Sequence, residues 1–134
     1  MKFYLLLLIP IFIATDCSNK KSIKAQSFEG EFTVQKVANI DLNQQDANFQ
    51  IDLKNETISG HTGCNQFSMK YQLSGNNITF QEPVSTKMFC GNLEVNEKML
   101  FDCFKKSNTY VLKDNILSFY NNSQELLITA HLIK

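Results

Sequence analysis

The sequence predicts a mainly β fold of the α+β class, in which a small antiparallel sheet of about eight strands curls into a barrel-like shape around one helix. Short segments with period-two alternation recur between turn signals at roughly 8–12-residue spacing. A single stretch near residue 100 changes to three- and four-residue spacing, which is helical. An open sheet would leave either a solvent-exposed apolar face or unpaired edge strands. Curling the sheet around the helix removes both.

The strand predictions rest on alternation between apolar and polar residues. In the clearest case Phe67, Met69, Tyr71 and Leu73 alternate with polar residues, as expected for a half-buried strand. The Ser-Gly-Asn-Asn turn at 74–77 predicts a hairpin with residues 78–80. Further strands are predicted over residues 28–37, 49–53, 57–61, 109–113, 116–120 and 125–133.

The helical spacing predicts one helix over residues 93–106. We expect its face of Leu100, Cys103 and Phe104 to pack on the sheet. Either Gly91 or Asn92 is positioned to cap its start. Acidic residues near that start and lysines near the end suit the helix dipole.

The N-terminus predicts an exported chain. An apolar run at 3–13 is too short to span a bilayer and reads as an export signal, so residues 1–16 form a predicted signal peptide. The small residues Ala14 and Thr15 precede Cys17 as in a lipoprotein box, although Asp16 departs from that pattern. We expect lipidation of Cys17, a flexible tether over 17–26 and a folded domain over 27–134. An ordinary cleaved signal and an uncleaved anchor are the alternatives.

Charge argues against nucleic acid as a partner. Acidic and basic residues balance at 13 each, so no net field steers the protein to a polyanion. Every basic residue is Lys, so bidentate arginine clamps for phosphate are absent from the sequence. We expect a monomer that binds no nucleic acid.

Beyond Cys17 the chain has three cysteines. Cys103 lies about 16 Å along the predicted helix from its start, and Cys90 lies just before that start. A disulfide needs Cα atoms within about 7 Å, which disfavours a Cys90–Cys103 bond and leaves Cys103 as a buried thiol. For Cys64 and Cys90, a disulfide, two free thiols and metal binding with His61 all remain open.

Neither a metal site nor a catalytic site is predicted. His61 and Cys64 have ligand-like spacing, but a zinc site needs further ligands, and the other histidine, His131, lies in the last predicted strand. As a nucleophile and base, the same pair has no evident orienting group or oxyanion site. No serine elbow or phosphate-binding glycine loop is visible. We therefore expect no enzymatic activity, no cofactor and no metal.

Three motifs carry a family resemblance. They are a Gly-x-x-Gly-Cys-Asn turn, a Thr-x-Met-x-Cys segment and a helix with an early Glu. Together they resemble the META-domain family, of which the HslJ-type envelope lipoproteins are the best known. The resemblance covers about residues 27–132 and is strongest over 58–104. Gly30-Glu-Phe32 stands where such proteins have Gly-x-Trp, so the core aromatic is smaller. The matching residues are Gly60, Gly63, Asn65, Thr86, Met88 and Glu97.

The resemblance implies a Cys64–Cys90 disulfide and structural roles for the motif residues. We expect Glu97 to cap or bond a backbone group at the start of its own helix. Asn65 and Thr86 are expected to close turns through hydrogen bonds from side chain to backbone.

The resemblance also implies a bacterial envelope lipoprotein, anchored to the outer membrane, facing the periplasm and associated with stress or drug tolerance. Two functions remain open: binding an unidentified envelope protein, or binding a small ligand in the mouth of the barrel. Eight phenylalanines look sufficient to fill so small a barrel, which favours the first. They are Phe28, Phe32, Phe49, Phe67, Phe80, Phe101, Phe104 and Phe119.

Overall fold

A ring of antiparallel strands packs against one face of a single helix in the computed structural model, which describes residues 28–133. The expected signal peptide, Cys17 and the whole of the expected tether lie outside these residues. The elements are β1 Gly30–Val37, β2 Ile40–Asp41, β3 Asn48–Asp52, β4 Thr57–His61, β5 Gln66–Ser74, β6 Asn77–Phe80, β7 Val84–Ser85, α1 Leu93–Lys106, β8 Thr109–Lys113, β9 Ile116–Tyr120 and β10 Leu126–Leu132.

Eight of the ten strands close the ring in the order β1-β3-β4-β5-β6-β8-β9-β10, with β10 pairing back to β1. This confirms the predicted curled antiparallel sheet with one helix. The closing pair runs antiparallel from Phe32↔Leu132 to Val37↔Ile128. By contrast, β6 and β8 share the single pair Asn77↔Thr109. The two-residue strands β2 and β7 were not predicted, because two residues carry no periodicity.

Aromatic rings fill the interior of the ring. Phe104 on α1 packs against Phe49, Phe80 and Phe119 with centroid distances of 5.7, 5.0 and 5.7 Å. Phe32 stacks on Phe49 at 5.5 Å. Such distances suit the edge-to-face and offset geometries that aromatic pairs prefer. The helix therefore plugs the ring with an aromatic side chain.

The buried face of α1 is the predicted one. Leu100, Cys103 and Phe104 are buried, and the helix packs against β1, β6 and β10. Phe101 differs from expectation, since it lies at the edge of the core, half-buried against Phe67. Within residues 28–133, no helix is long and apolar enough to cross a bilayer.

The first described residue, Phe28, lies at the end of the barrel where Tyr71 is found. Phe28 packs against Tyr110 and Tyr71, with ring centroids 4.2 and 6.1 Å apart. The Tyr71 hydroxyl donates to the Asp52 carbonyl oxygen at 3.2 Å. Burial raises the pKa of Tyr71 to about 12, because the phenolate would lose its hydration there.

Candidate functional site

The turn between β4 and β5 is shaped by two glycines of the family motif. A Cβ atom at Gly60 would overlap the carbonyl oxygen of Asn48 on the neighbouring strand. Gly63 has a φ of +92°, and a Cβ atom there would overlap the carbonyl oxygen of Gln45. The motif glycines therefore allow the turn to lie against the backbone of the preceding segments.

The buried side chain of Asn65, at the end of this turn, joins three parts of the chain. Its Oδ1 atom accepts the Met88 backbone N–H at 2.7 Å and the Thr86 hydroxyl at 3.0 Å. Its Nδ2 atom donates to Glu97 Oε2 at 3.0 Å. One amide thus connects the turn, the segment after β7 and the helix.

Glu97 differs from expectation. We expected it to bond a backbone group at the start of its own helix; instead its Oε2 accepts the Thr62 hydroxyl at 2.7 Å as well as the Asn65 amide. Asn92 occupies the N-cap position without a side-chain capping bond. Glu97 lies on the helix face turned toward the β4–β5 turn. Its carboxylate therefore joins α1 to the sheet.

Thr86 fixes the segment that follows β7 to the start of β5. Its Oγ1 accepts the Gln66 N–H at 3.1 Å, and its own N–H donates to the Gln66 carbonyl oxygen at 3.0 Å. Thr86 and Asn65 both make the side-chain to backbone bonds that the sequence predicts. These bonds, however, join separate segments and do not close single turns.

Two of the three described cysteines lie close together, and the third lies apart from them. Cys64 and Cys90 lie at disulfide distance, with Cα atoms 5.9 Å apart. Cys103 is buried on α1 away from them, and desolvation raises the pKa of its thiol. His61 Nδ1 accepts the Gly63 N–H at 3.0 Å, so that nitrogen helps to fix the turn. Among residues 28–133, no group of three potential metal-ligating side chains is found.

A groove of about 690 Å³ runs beside this network of bonds. Residues 82–88 form one wall, and Glu97, Lys98, Phe101 and Asp102 of α1 form the other. Phe101 is held by an edge contact with Phe67 at 5.4 Å. An ion pair between Lys105 and Glu82 joins the two walls at the far end. The groove therefore lies between two fixed elements.

The segment from β7 to α1 exposes large apolar side chains. Val84 is 77%, Met88 56% and Phe89 87% exposed. Met88 was predicted to be structural; its backbone N–H is bonded to Asn65, and its side chain faces solvent. Val84 and Phe89 were not predicted to belong to an exposed apolar surface. Apolar residues lying between predicted elements, outside any periodic pattern, were the available signal.

The strands form a closed antiparallel ring that the helix plugs, and the polar network around Asn65 joins the helix to one end of the ring. These features define a small helix-plugged β-barrel domain. The chain belongs to the META domain family, whose model matches residues 23–132. No curated protein matches the sequence.

Solved structures with this fold are similar to the chain at low sequence identity. A protein from Burkholderia xenovorans solved by NMR shares 13% identity with a TM-score of 0.63, covering 79% of this chain and 83% of its own. Another NMR structure shares 21% identity at 0.60, covering 78% and 89%. A DUF4847 family protein from Bacteroides vulgatus shares 10% identity at 0.57, covering 77% and 92%. At these identities the likeness concerns the fold.

Proposed function

We propose that this protein is a non-enzymatic envelope lipoprotein of the HslJ type that acts by binding a partner protein. In this proposal Cys17 is lipidated and anchors the protein to the outer membrane, facing the periplasm. The apolar run at 3–13, the Cys that follows it and membership of the META domain family support the export and the anchor. A role in stress or drug tolerance follows from the resemblance to HslJ-type proteins.

The observation that carries the binding function is the fixed groove beside α1. Bonds from Asn65 and Thr86 hold one wall, and the buried face of the helix holds the other. Val84 lies on the wall that Asn65 and Thr86 hold, and its side chain is nevertheless 77% exposed. A surface whose backbone is already ordered loses less conformational entropy on binding, so it suits recognition of another protein.

The interior of the ring supports this choice over the small-ligand alternative. A ligand in the mouth of the barrel would need an apolar cavity between the strands. Phe104 occupies that space together with Phe49, Phe80 and Phe119. We therefore assign binding to the outer groove.

The experiment compares two substitutions of exposed valines in cells whose own copy is deleted. Val84→Asp puts a charge on the groove wall, whereas Val111→Asp alters β8 at a residue that is 50% exposed. We expect cells that carry Val84→Asp to remain sensitive to heat or drug stress although the protein level is unchanged. Cells that carry Val111→Asp should regain their tolerance. Full restoration by Val84→Asp would overturn the groove assignment. Cys17→Ser, followed by acyl labelling and fractionation, tests the anchor separately.

A further inference from the structure

We propose that the three residues Lys87, Met88 and Phe89 form a docking tip that inserts its two apolar side chains into the bilayer to which the protein is anchored. This inference rests on the lipid anchor of the proposed function and concerns contact with the bilayer, whereas the groove is assigned to a protein partner. Lys87 and Met88 also belong to the groove wall, whereas Phe89 does not line the groove.

The tip is exposed and fixed at both ends. Met88 is 56% and Phe89 87% exposed. The Met88 N–H is bonded to Asn65 Oδ1 at 2.7 Å, and Cys90 lies at disulfide distance from Cys64. These two attachments, one on each side of Phe89, fix the backbone that carries the exposed ring.

The shape of the tip favours a bilayer over a protein as its occupant. A stable protein interface buries roughly 800 Å² on each partner around a shielded apolar centre. Two adjacent exposed side chains, Met88 and Phe89, do not supply such a centre. Insertion into the boundary between headgroups and acyl chains requires no complementary surface, and the exposed Lys87 matches anionic headgroups there.

The length of chain outside the structure allows this docking. Phe28 follows Cys17 by eleven residues, which span at most about 40 Å when fully extended. Phe28 packs against Tyr71 of β5, whereas the tip is bonded to Asn65. Asn65 precedes Tyr71 by six residues, or about 20 Å along the strand. The lipid anchor thus keeps the tip within reach of the bilayer, and a second weak membrane contact gains from the resulting high effective concentration.

The test uses the absence of tryptophan from the sequence. Phe89→Trp introduces one fluorophore at the tip, and Val111→Trp introduces one on β8 as the control. Each full-length lipidated protein is reconstituted into phosphatidylethanolamine and phosphatidylglycerol vesicles, with and without brominated acyl chains. We expect Phe89→Trp to show a shift of emission to shorter wavelength and strong quenching by the brominated chains. Val111→Trp should show the emission of a water-exposed indole in both kinds of vesicle.

Flotation of the same vesicles separates this inference from the proposed function. If the protein floats with the vesicles but the fluorophore of Phe89→Trp stays water-exposed, the docking tip is overturned while the anchor stands. The exposed side chains of residues 87–89 would then contact a protein partner and not the bilayer. If the protein does not float, the anchor itself fails and the docking tip is overturned with it. Equal quenching of both variants would show general burial of the domain and would also overturn a specific tip.

Discussion

The wall of the ring and the connection from Gln81 to Asn92 are fixed by different kinds of interaction. In the wall, strand ladders hold the backbone while apolar side chains face inward, as in β5, whose residues alternate between exposed and buried over most of its length. In the connection, side-chain hydrogen bonds from Asn65 and Thr86 hold the backbone, and the large apolar side chains face outward.

This difference separates stability from recognition. Burial of apolar surface is the main source of folding free energy, and the wall supplies it. The connection contributes polar bonds of smaller net value, yet these bonds fix a segment that would otherwise be a mobile loop. Substitutions in the two regions should therefore differ in how much they affect folding and how much they affect binding.

The largest effect is expected in the wall. Phe104→Ala removes the ring that contacts Phe49, Phe80 and Phe119, and the resulting cavity should lower the free energy of unfolding by about 3–5 kcal/mol. Phe89→Ala, in the connection, should change it by less than about 0.5 kcal/mol, because that side chain is exposed. Urea unfolding of both variants measures the contrast. Similar losses would mean that Phe89 is packed in solution.

A slightly smaller effect is expected at the cysteine pair that ties the connection to the wall. If Cys64 and Cys90 are bonded, their sequence separation of 26 gives about 3–4 kcal/mol in the chain-entropy model. Cys64→Ser and Cys90→Ser should each lower the melting temperature, and by nearly the same amount.

The double variant provides the control for this pair. It should be no less stable than either single variant, because one bond is lost in all three. Thiol labelling of the native protein should leave Cys64 and Cys90 unmodified, and should modify Cys103 only on unfolding. Two reactive thiols in the native protein would contradict the disulfide.

The smallest effect is expected at the bond network within the connection. Glu97→Ala leaves the Thr62 hydroxyl and the Asn65 amide without their acceptor, which should lower the free energy of unfolding by about 1–3 kcal/mol. Glu97→Gln keeps an acceptor oxygen of the same reach and should lose less. Chemical denaturation of the two variants decides the point. An equal loss in both would show that the charge of Glu97, and not its position as an acceptor, matters.

Sequence reasoning succeeded where local pattern and tertiary structure agree. Alternation located β5, and three- and four-residue spacing located α1, because these periods follow directly from the direction of side chains in strands and helices. It failed for β7 and for the role of Glu97. A two-residue strand has no period, and Glu97 bonds Thr62, which lies 35 residues away. Partners at such separations are set by the packed fold, and a single sequence does not display them.

The pairing of β1 with β10 has a consequence for when this chain can fold. Phe32 pairs with Leu132, so the ring cannot close until β10 is available. Contacts between such distant residues raise the contact order, and chains with high contact order fold slowly. Until β10 arrives, the β1 edge that it covers stays unpaired and open to association with other chains. A fragment that ends before Leu126 should therefore aggregate, and the ring of a growing chain should stay open until β10 has been synthesised.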